Sequence, residues 1–396
     1  MFPQGARCIR PVMLILAAVV IASGLHTWAV ELQPAHSVTE RRPLWEVDLK
    51  QFGYLAFQRK QMRPLRPSAE FTDTEHVAVG WVSPDTNQSN KQTYPRWGGA
   101  AHLHVVLLDA KSGRKEYDTE WPTSYTATAP FYGLADGRLV ICADNSLQLL
   151  SPTFDVLRQE QLPNKAACSK FILKSSPSRQ TLLLSSVSEH IRQLQLLHTD
   201  TFQRIRSWTE TLGDASNGET VSISDSLMAG YCGRPRQLCL REFDGTWHPF
   251  EPGGVNTRMA DRERIPTSFV ENKILVIGTN PAVVANVDGA RLFNIELPKR
   301  HYLLLPISAT GGNRFAVIEG RLRGVRSEPL DMYPFQANDR ALVYSIKTGK
   351  QEFSLKIQGT SPWTPWHIRE AFLALSPDGV HLAVISEGVL RAYHLQ

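Results

Sequence analysis

"SPDGVHLAVISEGVLRAYHLQ", residues 376–396, holds a turn followed by two strand-like runs. With the apolar residues just before it, the segment reads as three strands over about 371–394, and the fourth strand that should pair with the last does not follow. An unpaired outer strand would leave a row of backbone donors and acceptors open to other chains. The question is therefore which other part of the chain supplies the missing strand.

The same order of features recurs upstream. "LADGRLVICADNSLQLLSPTFDVLRQEQLP" starts at Leu134, and "SPSRQTLLLSSVSEHIRQLQLLHTDTFQRIRSW" at Ser176. "SDSLMAGYCGRPRQLCLREFDGTWHPF" starts at Ser224, and "ENKILVIGTNPAVVANVDGARLFNIELP" at Glu271. "GGNRFAVIEG" resumes at "ALVYSIKTGKQEFSLKI", and "EHVAVGW" resumes at "LHVVLLDAKSGRKEYDTEW". The runs are short, rich in Val, Leu and Ile, and bounded by Gly, Asp, Asn and Ser, as strands are. "DG", "SG" and "TG" tolerate the positive φ of tight hairpins. A spacing of about 35–55 residues per unit fits four-stranded propeller blades. The expected fold is all-β, a seven-bladed β-propeller of four-stranded antiparallel blades. Its units fall at roughly 66–121, 129–162, 170–208, 219–251, 265–297, 301–357 and 371–394. "PLWEVDLK", residues 43–50, alternates like a strand and belongs to no unit of its own. It is predicted to complete the last blade from outside and so to close the ring, making 43–396 a single propeller domain.

The Ser-Pro-Asp-Gly turn before "VHLAV", with "GVLRAYHL", "LLDAKSGRKE" and "VYSIKTGKQE", resembles the WD40/YVTN-like β-propeller superfamily, in its exported bacterial form. The Gly-His and Trp-Asp signatures of WD40 repeats are missing. The resemblance implies a ring of blades, on which both binding scaffolds and enzymes are built, so it leaves function to the site.

The first residues are different in kind. Arg7 and Arg10 precede the apolar run "VMLILAAVVIAS", and Ala22-Ser23-Gly24 supplies the small residues a signal peptidase reads. Residues 1–24 are read as a signal peptide. The alternative is an uncleaved membrane anchor, because the apolar stretch continues to about Val30 and approaches the ~20 residues of a membrane-spanning helix. Either reading makes the body exported, periplasmic or extracellular. Four cysteines remain beyond the leader: Cys142, Cys168, Cys232 and Cys239. An even count in an exported chain permits disulfides. Cys232 and Cys239 flank a loop, "GRPRQL", which makes them one candidate pair and leaves Cys142 with Cys168, unless Cys142 is a buried thiol. Without Arg7 and Arg10 the chain holds 41 basic and 38 acidic residues, a net +3. That balance gives no argument for nucleic acid.

Long insertions fall at 83–101 and 320–339, within blades, and at 52–65 and 358–370, between blades. In a propeller all four lie on one face, around the closing blade, and long loops on a rigid scaffold are where function concentrates. They carry Arg63, Tyr94, Arg96, Trp97, Arg321, Arg323, Tyr333, Trp363, Trp366 and His367, the Arg-and-aromatic mixture of recognition hot spots. The segments 52–65, 83–101, 320–339 and 358–370 sum to formal charges of +3, +1, 0 and 0, mildly favouring an anionic partner. The bland reading of the same residues is interblade packing by the tryptophans and local pairing of the arginines with Glu328, Asp331 and Asp339.

Catalytic patterns are sparse. There is no GxSxG elbow, no Gly-rich phosphate loop and no HExxH. His102 and His104, two apart on one strand face, are weak metal candidates; half-buried strand histidines are the plainer reading. Asp109, Asp136 and Asp378 sit where turns use Asp for local hydrogen bonds. No cofactor is implied, and no CxxCH haem site occurs. Two function classes remain. One is a non-catalytic exported scaffold that binds a protein, peptide or glycan through its insertion-bearing face, with a membrane met only through an uncleaved anchor. The alternative is a propeller enzyme, a lyase or hydrolase with or without a metal, built at the mouth of the central channel.

Overall fold

The computed structural model of the protein describes residues 42–54, 67–84, 99–124, 130–163, 167–188, 190–211, 219–258, 265–299, 301–303, 309–322, 336–357 and 372–396. These residues build seven antiparallel sheets, each from strands A to D counted outward from the ring axis. Blade 1 comprises Ser68–Phe71, His76–Pro84, Ala100–Asp109 and Lys115–Ser124. Blade 2 comprises Phe131–Gly133, Leu139–Ala143, Ser146–Leu150 and Val156–Gln161, and blade 3 Phe171–Ser175, Thr181–Ser188, Ile191–His198 and Arg204–Thr211. Blade 4 runs through Glu219–Ile223, Leu227–Cys232, Gln237–Glu242 and His248–Pro249. Blade 5 runs through Thr267–Glu271, Ile274–Ile277, Ala282–Asn286 and Arg291–Ile295. In blade 6 the inner position is shared by His301–Leu303 and Ala309–Gly311, both paired with Arg314–Leu322, which is followed by Gln336–Ser345 and Gln351–Lys356.

Blade 7 answers the opening question. Phe372–Leu375, His381–Ser386 and Val389–His394 are completed by Trp45–Asp48, from the other end of the propeller. Trp45 pairs with Ala392 and Val47 with Leu390, and the pairing is extended by Leu44 N–H to the Ala392 carbonyl at 2.7 Å and Leu49 N–H to that of Gly388 at 2.9 Å. The alternation seen in the sequence sets the fit: Trp45, Val47 and Leu49 are buried, while Glu46, Asp48 and Lys50 are exposed. Glu46 receives a 2.7 Å hydrogen bond from Arg391 Nε. Trp45 then ties this blade to the next by donating Nε1–H to the Ala110 carbonyl at 2.8 Å. Gly113 makes room for it. It holds φ +71, and a Cβ there would sit 2.7 Å from the indole.

Burial is deepest in the middle strands of a blade and least in the outer one, and it explains the sequence texture. Strands B and C of blade 2, Leu139–Ala143 and Ser146–Leu150, are buried along their whole length, so they read as nearly continuous apolar runs. Strand D, Val156–Gln161, is exposed throughout and reads as mixed polarity. The core is a series of layers between neighbouring blades. Leu183, Leu194 and Leu196 of blade 3 meet Ile223 and Met228 of blade 4. Beside that layer lies a buried polar network. Arg192 donates to the Thr220 carbonyl at 2.7 Å and lies 3.6 Å from Glu210, which also accepts from Thr220 Oγ1 at 2.6 Å and Trp208 Nε1 at 3.0 Å. Buried charges persist when paired and hydrogen-bonded in this way.

Both cysteine pairs form disulfides, Cys142–Cys168 and Cys232–Cys239. The first ties strand B of blade 2 to the short turn Cys168–Lys170 that leads into blade 3. The second clamps the tight B–C connection of blade 4. Cys142 is therefore a bridged cysteine and not a free buried thiol. No helix among the described residues is long and apolar enough to cross a membrane.

Candidate functional site

Strand A of each blade has a neighbour on one side only, so its inner backbone groups need partners from elsewhere. Side chains of adjacent blades supply them. Tyr132 of blade 2 donates its hydroxyl to the Leu173 carbonyl of blade 3, and Lys174 of blade 3 donates to the Val221 carbonyl of blade 4. Ser222 Oγ of blade 4 accepts from Phe269 N–H of blade 5 at 3.1 Å, and Asn280 Nδ2 donates to the His301 carbonyl of blade 6 at 3.1 Å.

The strongest of these links is Arg179, in the A–B turn of blade 3. Its Nη1 donates to the Phe71 carbonyl of blade 1 at 2.8 Å and to the Gly133 carbonyl of blade 2 at 2.6 Å. Its Nη2 lies 3.3 Å from Glu70 of blade 1. One guanidinium thus joins three blades at the axis. Burial pushes the Glu70 carboxyl above its ordinary range, and the Arg179 charge opposes that shift. Burial, with the Glu70 charge, likewise pushes the Tyr132 hydroxyl far up, so it stays a neutral donor. The local sequence explains the position of Arg179. "SPSR", 176–179, repeats the turn "SPDG", 376–379, and the N–H of the fourth residue returns to the first carbonyl at 2.9 and 2.8 Å. Gly379 holds φ +72, and Arg179 holds φ +64 in the same place. That left-handed conformation costs a non-glycine residue about 1–2 kcal/mol, and the contacts of the guanidinium hold it there.

A depression of about 400 Å³ opens at the axis on the face of the A–B turns, walled by Pro177, Ser178 and Arg179 of blade 3, Val270, Glu271 and Asn272 of blade 5, Gly311 and Gly312 of blade 6, and Ala135 and Pro377. Its rim is stitched by Asp225, which accepts from Ser178 Oγ at 2.7 Å and Asn272 Nδ2 at 2.6 Å.

The residues singled out in the sequence divide sharply. Arg63, Tyr94, Arg96, Trp97, Arg323, Tyr333, Trp363, Trp366 and His367 lie outside the described residues, and Arg321 is placed only by its backbone, paired with His301 and Ala337. The element ends that flank their insertions all open to one face: Pro84 and Ala100, Leu322 and Gln336, Lys356 and Phe372, and Ser68 with Phe52, the end of the short helical turn Leu49–Phe52 after the closing strand. The depression is on the other. His102 and His104 do share a strand face, with rings 6.5 Å apart. His104 stacks on Trp81 at 5.5 Å and lies 3.3 Å from Glu120, while burial lowers its pKa. Among the described residues no group of three or more His, Cys, Asp or Glu is arranged to hold a metal ion. Asp109, Asp136 and Asp378 make the expected turn bonds, to Ser112 N–H at 2.7 Å, Arg138 N–H at 3.2 Å and Val380 N–H at 3.0 Å. Sequence reading missed Glu70, Arg179 and Glu271; the signal for Arg179 is an arginine at the fourth position of a Ser-Pro turn, where Ser376–Gly379 carries glycine.

The architecture defines a seven-bladed β-propeller closed by its N-terminal strand. No protein-family model matches this chain, and no curated protein matches it either.

Proposed function

We propose that the protein is an exported, non-catalytic β-propeller of the WD40/YVTN-like type that binds a protein, peptide or glycan partner through its insertion-bearing face. The observation that carries this reading is the Arg179 link. Of the charged groups at the axis, Glu70 and Arg179 are engaged with each other and with the backbone of blades 1 and 2, which leaves Glu271 with no acid–base partner there among the described residues. Glu70 and Arg179 hold the ring together, whereas a catalytic channel needs such groups free to meet substrate. The two disulfides support an oxidising compartment and hence export. The insertions, whose flanking described ends open to the opposite face, carry Arg, Tyr and Trp and the slight positive charge that favours an anionic partner.

The test is recovery of the exported chain under native conditions, with metal analysis of the purified protein and identification of whatever co-purifies. A metal-free protein that retains a partner, and loses it in R321A/R323A and W363A/W366A variants that still fold, is the expected result. A stoichiometric metal or turnover of ester, lactone or glycoside substrates would overturn the reading in favour of an enzyme.

A further inference from the structure

The depression on the A–B turn face has a chemistry of its own, independent of any partner on the insertion-bearing face. Two residues with charged side chains line it, Arg179 and Glu271. Arg179 is engaged by Glu70 and two carbonyls. Glu271 is half-buried and ends strand A of blade 5, and its carboxylate makes no hydrogen bond or ion pair among the described residues. A half-buried carboxylate with no protein partner is a ready charge partner for a cationic ligand. The polar groups beside it are already committed, since Asn272 and Ser178 are both held by Asp225. The rest of the wall is apolar or backbone: Pro177 and Pro377 stand on it together with Gly311. Gly311 packs so closely on blade 7 that a Cβ there would lie 1.9 Å from the Ser376 carbonyl, which fixes that wall as bare backbone. Among the described residues no metal-holding group of three ligands exists here, and one carboxylate in a depression that two prolines also line suits a monovalent organic cation.

We infer that the axial depression is a binding site for a primary ammonium or guanidinium carried on an aliphatic stem, with Glu271 as the charge partner and the proline rings against the stem. At about 400 Å³ the depression is within the usual size of small-ligand sites, roughly 300–1,000 Å³, so it admits a lysine or arginine side chain or a free diamine. These sources share one chemistry, and the test separates them.

The full chain is titrated calorimetrically at low salt with Nα-acetyl-lysine amide, Nα-acetyl-arginine amide and cadaverine, with Nα-acetyl-glutamine amide as the uncharged control. Saturable binding of a cationic probe, absent for the glutamine analogue, is expected. Glu271→Gln keeps the shape and removes the charge, and should weaken that binding by about tenfold or more while leaving the unfolding midpoint unchanged. Glu160→Gln, on the exposed outer strand of blade 2, should leave affinity unchanged. Preference for the capped amino acids over cadaverine would assign the site to a peptide side chain, and the reverse preference to a free diamine. Equal binding of the glutamine analogue, no saturable binding at millimolar probe, or full affinity in Glu271→Gln would each overturn the inference.

Discussion

Replacing Arg179 tests the claim that the axis is a structural joint. Arg179→Ala removes charge-assisted bonds to the Phe71 and Gly133 carbonyls and the ion pair with Glu70. Bonds of this kind contribute about 1.5–3 kcal/mol each when a partner is left unsatisfied, but residual exposure of 13% for Arg179 and 19% for Glu70 lets water replace part of the loss. The net cost should be about 3 kcal/mol. Arg179→Gly loses the same contacts but relieves the φ +64 backbone, which is worth about 1 kcal/mol, so its cost should be about 2 kcal/mol. The pH dependence supplies an internal control. Glu70 holds its proton more tightly in the folded chain than at its ordinary value of 4.5. Folded stability therefore falls as pH rises from 4.5 through the folded-state value. Without Arg179 the folded-state value climbs further, so the deficit of either variant should widen toward neutrality and narrow near pH 4.5. Urea denaturation followed by tryptophan fluorescence at several pH values reads all of this. A glycine variant as stable as the wild type at pH 7, or a deficit that does not change with pH, would refute the joint.

Other contacts give equally direct expectations. Replacing Cys142 and Cys168 by serine should cost about 3.5 kcal/mol, and replacing Cys232 and Cys239 about 2.5 kcal/mol, because the bridged separations are 26 and 7 residues and longer loops lose more chain entropy; urea midpoints under non-reducing conditions give the comparison. Glu210→Ala should cost about 3–5 kcal/mol by removing the carboxylate that faces the buried Arg192 charge, and a smaller loss in the Arg192→Met/Glu210→Leu double variant, measured the same way, would show that the pair specifies more than it stabilises. Hydrogen bonding and charge from Asp73, with Glu116 and Glu75, outweigh the burial that disfavours protonated His76, and so raise its pKa above 6.5. That contribution to stability is complete below 6.5 and is lost as pH rises through the folded-state value; His76→Gln should flatten the stability profile in that window.

The fold was readable because each blade repeats the same local chemistry. Apolar runs such as "RLVIC" are long enough to be buried on both faces, and the Gly of "DG" and "SG" turns, Gly137 at φ +90 and Gly113 at φ +71, sits where the backbone demands it. The alternation of "WEVD" even identified the closing strand. The axial site was not readable in the same way. Glu70, Arg179 and Glu271 are separated by scores of residues and lie in strand ends and turns, and nothing local marks which turn points inward. A radial fold brings them together only when the ring is closed. Conversely, the Arg and Trp residues of the long insertions stood out by composition, which reports chemistry without geometry.

Glu46 and Arg391 meet across 345 positions of chain, and that span gives synthesis a direction. Trp45–Asp48 is made first and can be seated only when Val389–His394 has emerged, after every other blade. Closing so long a loop costs about 5 kcal/mol of chain entropy, against about 2 kcal/mol for a short hairpin. Until then the outer edge of blade 7 is a vacant berth, and in a crowded compartment the first strand of a second copy has the same sequence and register. Exchange of that strand between neighbours would give a domain-swapped pair whose rings are each intact, so dilution during refolding decides which product forms.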